Sequence, residues 1–359
     1  MTDYKKASLR ILAGSIFFAL LPSSAYPQSP EEIYAALAKL PPQERQQRLI
    51  AGAKREGVVV VYDTSARQEL REFETALRTK YPFLKVEAVT ASRGKLLERV
   101  LTESRVGRHL ADIIGIGSTE DAVLIQNGIL ARYSSPEFQY LHSGLAGRDG
   151  YWVATRLRTY HIAYHTKIVR KEQAPKRWED LLDPRWKGKL GMADDAYFWF
   201  GALENFWGKE KAHDFFRRLA EQQLLIRKGH SLLAELLAGG EFPVVVGMYG
   251  HRVALVKKRG APVEMVNPDP VVGIVGTVGV AKRAPHPHAA ALTVDFTISE
   301  EGQKLNVEQM RGASRKGVPH PYLERIEALR IQYDTPDLYP PGRYEQIAQD
   351  YRRIFIERR

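Results

Sequence analysis

Trp178-Glu179-Asp180-Leu181-Leu182-Asp183-Pro184-Arg185-Trp186-Lys187-Gly188-Lys189 is the stretch that decides the reading of this chain. Physically it is an amphipathic turn of helix, a stop at Pro184, and a Trp-Lys-Gly turn feeding a new strand. Leu181, Leu182 and Trp186 are expected to bury, while Asp180, Arg185 and Lys187 stay in water. The same alternation of periods recurs on either side. Upstream, Val58-Val59-Val60-Val61-Tyr62 is a continuous β-branched run, as a strand buried on both faces requires. Leu70, Phe73, Leu77 and Tyr81 follow at helical spacing over 66–80. A strand at 85–89, a helix at 93–106 and a strand at 112–116 complete a βαβ rhythm. Downstream, a strand at 188–192, helices at 196–207, 209–221 and 230–238, and a strand at 243–248 make a second round. Residues 31–55 read as two short helices broken at Pro41-Pro42, the second ended by Gly57.

Composition narrows the function classes. Lys5, Lys6 and Arg10 precede an apolar run from Ile11 to Leu21, and Pro22-Ser23-Ser24-Ala25 offers small residues for cleavage, so residues 1–25 read as an export signal. That run is too short to span a bilayer. The chain has no cysteine, which excludes disulfides, thiolate metal sites and a lipid-bearing N-terminal cysteine. Roughly 330 residues then remain, more than one core usually holds, so two lobes are expected. The formal charge of +11 is spread evenly, without a block of five like charges. It reads mainly as surface charge, and an exported chain is not expected to bind nucleic acid.

The opening stretch resembles the W-x-D-L-x-D-P-x-W-K-G-K signature of family 1 extracellular solute-binding proteins, the periplasmic receptors of ABC importers. Further anchors lie in the same order and spacing as in that family. They include Ile50-Ala51-Gly52-Ala53-Lys54-Arg55-Glu56-Gly57, Ala111-Asp112-Ile113-Ile114, Asn127-Gly128-Ile129-Leu130-Ala131-Arg132-Tyr133, Ile162-Ala163-Tyr164-His165-Thr166-Lys167 and Ser299-Glu300-Glu301-Gly302-Gln303. The resemblance runs from about residue 45 to 315. It implies a two-lobed α/β type II periplasmic binding fold, each lobe a mainly parallel sheet flanked by helices. Residues 26–56 form an N-terminal helical extension; lobe 1 takes 57–150 and 272–315, and lobe 2 takes 151–271 and 316–359. A ligand would lie between lobes that close on a hinge.

Loops after strands present hydroxyls and backbone N–H groups at the next helix's N-terminus, a geometry that favours anions. By this rule the candidate ligand-binding residues on lobe 1 are Thr64 and Ser65, Ser92 and Arg93, and Ser118 and Thr119. Each Ser or Thr also fits a plain N-cap role. On lobe 2 the candidates are Tyr197 and Tyr249, which can stack on or hydrogen-bond a ligand, together with His251. Arg156 is favoured over Arg158 as the guanidinium beside the crossover, and Arg252 lies just past the loop. Asp194 and Asp195 read as acids favoured at a helix N-terminus.

The ferric-ion receptors of this superfamily resemble the chain over the same stretch, and the resemblance implies an adjacent tyrosine pair after the strand at 243–248. Here that position reads Met248-Tyr249-Gly250-His251, with one tyrosine. An iron site would have to rest on Tyr249, Glu120 and His251, so iron is the alternative rather than the main expectation. No metal site and no cofactor are expected otherwise: His286, His288 and His320 sit in proline-held loops without a third ligand. Gly239-Gly240-Glu241-Phe242 reads as a helix end, not a nucleotide-cyclase motif. The expected function is a monomeric receptor that takes a small anionic or hydroxyl-rich solute to an inner-membrane ABC permease. A secreted enzyme on the same scaffold would need a carboxylate pair such as Asp194 or Asp195 with Glu120. A sensor feeding a membrane kinase is the third class.

Overall fold

The computed structural model describes residues 28–65, 67–323 and 326–357, so the expected export signal lies outside the described residues. The chain begins with two helices, α1 (Pro30–Leu37) and α2 (Pro42–Glu56). Ser29 and Glu32 form a reciprocal capping box on α1, and Gly57, at φ +69°, ends α2 in the left-handed region that suits glycine. The chain then alternates through β1 (Val58–Asp63), α3 (Arg67–Lys80), β2 (Lys85–Thr90), α4 (Arg93–Arg105), β3 (Ile113–Gly115), α5 (Ser118–Gln126) and β4 (Leu130–Ala131). β1 pairs in parallel with β2 on one side and β3 on the other.

β5 (Val153–His165) leaves this unit for the second, which contains β6 (Leu190–Ala193), α6 (Tyr197–Trp207), α7 (Lys209–Ala220), β7 (Leu225–Arg227), α8 (His230–Ala238), β8 (Val244–Tyr249), α9 (Gly250–Lys258) and β9 (Val263–Val266). β10 (Val271–Ala281) returns to the first unit, which gains α10 (Pro287–Ile298) and α11 (Glu300–Glu308). β11 (Ile331–Asp334) and α12 (Arg343–Phe355) complete the chain. β6 pairs in parallel with β7 and β8, and β8 runs antiparallel to β5. The main sheet path is β2-β1-β3-β10-β5-β8-β6-β7. The two long strands β5 and β10 pair antiparallel along most of their length, with a bulge between Gly276 and Thr277. They are the adjacent spans that carry the chain between two α/β units, the two-lobed architecture expected from the sequence.

Among the described residues three apolar clusters follow this division, the third, around Leu233, Phe242 and Val245, lying within the second unit. The first joins β1, α2 and α10 through Leu49, Val59, Ala289 and Leu292; the second joins α6, α7 and α12 through Trp199, Phe200, Phe216 and Tyr351. The segment 316–359, expected on lobe 2 as a whole, is divided between these first two. Leu323 and Ile326 lie in the first cluster and α12 in the second, because β11 pairs with β10 on the way.

The opening stretch of the sequence folds as two 3-10 turns, Trp178–Leu182 and Pro184–Trp186, rather than one turn of α-helix. Asp180 accepts the amides of Lys176 and Arg177 at 2.9 and 3.0 Å, and Asp183 accepts that of Arg185 at 3.0 Å. These side-chain caps tighten both turns. Leu181 and Trp186 bury as expected, while Leu182 is half-buried. The largest fully buried side chain of the stretch is Trp178, its indole N–H donating to Pro270 O at 2.9 Å.

Asp121 of α5 lies against Thr277 at the bulge. Neither of its carboxylate oxygens is within hydrogen-bond geometry of a partner, and burial pushes its pKa up to about 7. The folded chain therefore holds a proton there that the unfolded chain releases near pH 4. Stability from this group is full below that value and is lost as pH rises toward 7. Asp121→Asn is expected to raise the melting temperature at pH 8 more than at pH 5, in paired thermal melts. A variant equally shifted at both pH values would show that the folded carboxyl is already charged at pH 5, so that burial does not raise its pKa.

Candidate functional site

Side chains near strand ends meet across the two units: the Arg93 guanidinium of α4 lies over the Phe198 ring of α6, and His251 of α9 is joined through Arg311 to Glu69 of α3. Strand ends aimed at a crevice between units are where open α/β sheets bind ligands.

On the first unit, Asp63 closes β1. Its Oδ1 accepts the Ser65 amide at 2.5 Å and lies 3.5 Å from Nη2 of Arg156. Thr64 is half-buried, its amide donating to Gly115 O at 3.3 Å. Ser92 precedes α4 but is exposed and makes no side-chain cap bond. Arg93 lies 3.5 Å from Glu120 and sets its guanidinium 4.9 Å over the Phe198 ring of the second unit. Gly117 allows this approach. A Cβ there would come within 2.9 Å of the Arg93 guanidinium carbon, and the backbone is at φ +142°. Ser118 and Thr119 are both engaged within the protein: Ser118 Oγ donates to Asp334 O at 2.8 Å, and Thr119 Oγ1 to Glu120 at 2.7 Å. Ser118 thus helps hold the C-terminal segment.

On the second unit, Tyr249 ends β8 at the centre of a polar group. Its hydroxyl accepts from Tyr160 at 3.3 Å, its ring lies 3.8 Å from that of His230 and 5.5 Å from that of His251, and Arg158 sits 5.7 Å over it. Arg158 projects from β5, and its Nε is buried without a hydrogen-bond partner. Burial, with Arg93, Arg156 and Arg311 nearby, brings its pKa down to about 10. His251 Nε2 lies 2.9 Å from Nη1 of Arg311, whose Nη2 donates to Glu69 at 3.0 Å. A guanidinium can only donate, so His251 Nε2 is the acceptor and its proton is on Nδ1. This chain runs from α9 through the loop after α11 to α3, and so bridges the units. Burial and the neighbouring guanidiniums hold His251 far below the usual histidine range, and His230 at about 3.

The remaining candidates fall elsewhere. Tyr197 turns toward α12, its ring 4.9 Å from Tyr351 and 6.5 Å from Tyr344. Asp194 accepts the Gly229 amide at 3.1 Å, and Asp195 is exposed, 3.8 Å from His230. Glu120 is engaged by Arg93 and Thr119 rather than by either of these acids. Among the described residues no group of three or more His, Asp and Glu side chains is placed to hold a metal ion.

Three residues of this site carried no reading from sequence: His230, Glu69 and Arg311. His230 opens a helix directly after a strand, the same rule that selected Tyr249, but β7 is too short to stand out from its pattern. Glu69 reads as one more acid in a helical first turn. Arg311 follows a helix, where no strand-end rule applies, and only packing brings it in. Arg158, ranked below Arg156, is the one with its Nε unpartnered.

The sequence profile of the bacterial extracellular solute-binding proteins matches residues 110–335. A Haemophilus influenzae protein described as uncharacterized is 35% identical over 188 residues, 51% of each chain, so the chain spans about half the length of this curated relative. Among solved structures, iron-bound HitA from Pseudomonas aeruginosa superposes at a TM-score of 0.70 with 23% identity, covering 82% of this chain and 99% of HitA. The periplasmic binding protein AfuA from Actinobacillus pleuropneumoniae, bound to fructose-6-phosphate, does so at 0.68 with 24% identity, covering 84% and 99%. A Trichodesmium protein in complex with iron and citrate reaches 0.69 with 18% identity, covering 83% and 98%. At these identities the structural likeness carries the fold, and the profile carries the kinship: the chain belongs to the bacterial extracellular solute-binding proteins.

Proposed function

We propose that this chain is the receptor of an ABC importer, capturing a small anionic or hydroxyl-rich solute between its lobes and delivering it to an inner-membrane permease. The observation that carries the reading is Arg158, whose Nε is buried and unpartnered in the cleft beside Tyr249. A buried donor without a partner costs free energy that a bound acceptor would recover. Family membership and the expected export signal support a periplasmic location for this step. No described helix is long and apolar enough to cross a membrane. The reading includes no chemical conversion, since Asp194, Asp195 and Glu120 each serve separate partners. The protein acts as a monomer.

Ferric ion is the second reading, because HitA and the Trichodesmium protein carry iron and Tyr249, a hard oxygen donor, ends β8. The surrounding guanidiniums repel a trivalent cation, which ranks it lower. A thermal-shift panel of organic phosphates, carboxylates, sugars, polyamines and ferric citrate separates the readings. A solute at a hundred times its dissociation constant adds about 2.7 kcal/mol. We expect an anion to raise the melting temperature. A rise with ferric ion alone, lost in Tyr249→Phe, would overturn the anion reading in favour of iron.

A further inference from the structure

We propose that the cleft is built for a dianionic phosphoryl group, with Arg158 and Arg252 as the guanidiniums whose charge only the ligand balances. This rests on the solute-receptor reading and names the class of solute. Five arginines share the site, and three of them have a carboxylate within ion-pair distance: Arg93 with Glu120, Arg156 with Asp63, and Arg311 with Glu69. Arg158 and Arg252 have none among the described residues. Arg252 feels Glu69 and Tyr249, but Glu69 already bonds Arg311. Asp195 is at the exposed rim, beside His230 rather than either guanidinium. Among the described residues the site therefore carries two guanidiniums, Arg158 and Arg252, without an ion-pair partner. A monoanion leaves one of them, and a dianion leaves none.

The second observation is a set of unpartnered polar atoms around the same tyrosine. His230 and His251 are each more than nine-tenths buried, yet neither nitrogen of His230 nor Nδ1 of His251 has a hydrogen-bond partner. Arg158 Nε adds a third buried donor. Each histidine is neutral and so offers one N–H. These donors come from α8, α9 and β5, and the His230, His251 and Arg158 groups all pack about the one Tyr249 ring. Unpartnered donors from three elements, all beside one ring, suit a tetrahedral oxyanion, whose oxygens point in several directions. An extended dicarboxylate would need two separated clusters. The half-buried Tyr249 ring, backed by the buried Tyr160, leaves an aromatic surface for whatever the phosphoryl group is attached to.

Methyl phosphate and methyl sulfate test this directly, since they share a shape and differ by one charge at pH 8. In isothermal titration of the full protein at fixed ionic strength, methyl phosphate is expected to bind at least tenfold more tightly than methyl sulfate. In Arg252→Gln that preference should fall toward unity, with circular dichroism confirming that the variant is folded. Equal binding of the two esters by the unmodified protein would overturn the dianion. Tighter binding of succinate than of methyl phosphate would overturn the phosphoryl geometry. If neither ester binds but another solute class shifts the melting temperature, the phosphoryl assignment fails while the receptor reading stands. If no solute class acts at all, both fail.

Discussion

Arg158→Met is expected to abolish solute capture, with at least about a hundredfold loss of affinity, while the empty protein melts at a higher temperature than the parent. The two effects have one cause. Arg158 is charged, partly buried and surrounded by guanidiniums, and burial lowers its pKa to about 10. A base whose folded pKa lies below its unfolded value destabilises the fold at all lower pH, and the strain is relieved only as pH rises through 10. Methionine keeps the length and the contact with the Tyr249 ring but removes the charge. The gain for the free protein is on the order of 1 kcal/mol once solvent screening of a partly exposed group is allowed for. The loss in the complex is larger, because a charged hydrogen bond to a desolvated anion is worth about 2–5 kcal/mol. Thermal melts with and without the best anion from the screen give both numbers. Lower stability with retained binding would show that Arg158 braces the fold instead of serving the ligand.

Trp178→Ala is the second large effect, and it concerns the fold rather than the ligand. Trp178 is fully buried, 5.3 Å from the Trp199 ring at a tilted angle. Its indole N–H bonds the carbonyl of Pro270, one residue before β10 begins. The side chain therefore ties the 3-10 turns at 178–186 to a strand that crosses between lobes. Truncating it costs about 3–5 kcal/mol, from lost burial and the cavity that remains, plus an unpaired carbonyl. For a chain of this size that is a fall of roughly 10 °C. Trp178→Phe should recover part of the loss by filling volume without restoring the hydrogen bond. A drop of only 1–2 °C for the alanine variant would mean that the turns are held by their aspartate caps alone.

The sequence was most legible where local pattern and tertiary demand agree. Val58–Asp63 is buried on most of its length because parallel neighbours flank it on both sides, and its β-branched run says so without a structure. The helices at 67–80, 93–105, 197–207, 209–220 and 230–238 match their periodicity to within a residue or so. It was least legible where a side chain caps or tightens a turn. Asp180 and Asp183 draw backbone amides to themselves and make 3-10 turns where spacing suggested an α-turn. At the site, the strand-end rule found the loops but not which hydroxyls were already engaged. Ser118 and Thr119 obey the rule, and both are bonded within the protein.

Sequence alone therefore determined the class of the molecule: two α/β units, a signature of the solute-binding family, and loops at strand ends as the place to look. Those features are local, set by hydrophobic period, capping and turn chemistry within a few residues. Tertiary structure alone decided which charges meet. Arg158, Arg252, Arg311, Glu69 and His230 come from separate strands, helices and loops, and no spacing along the chain relates them. Their surplus of positive charge, and the donors left without partners around Tyr249, exist only because β5 and β10 bring the two lobes face to face.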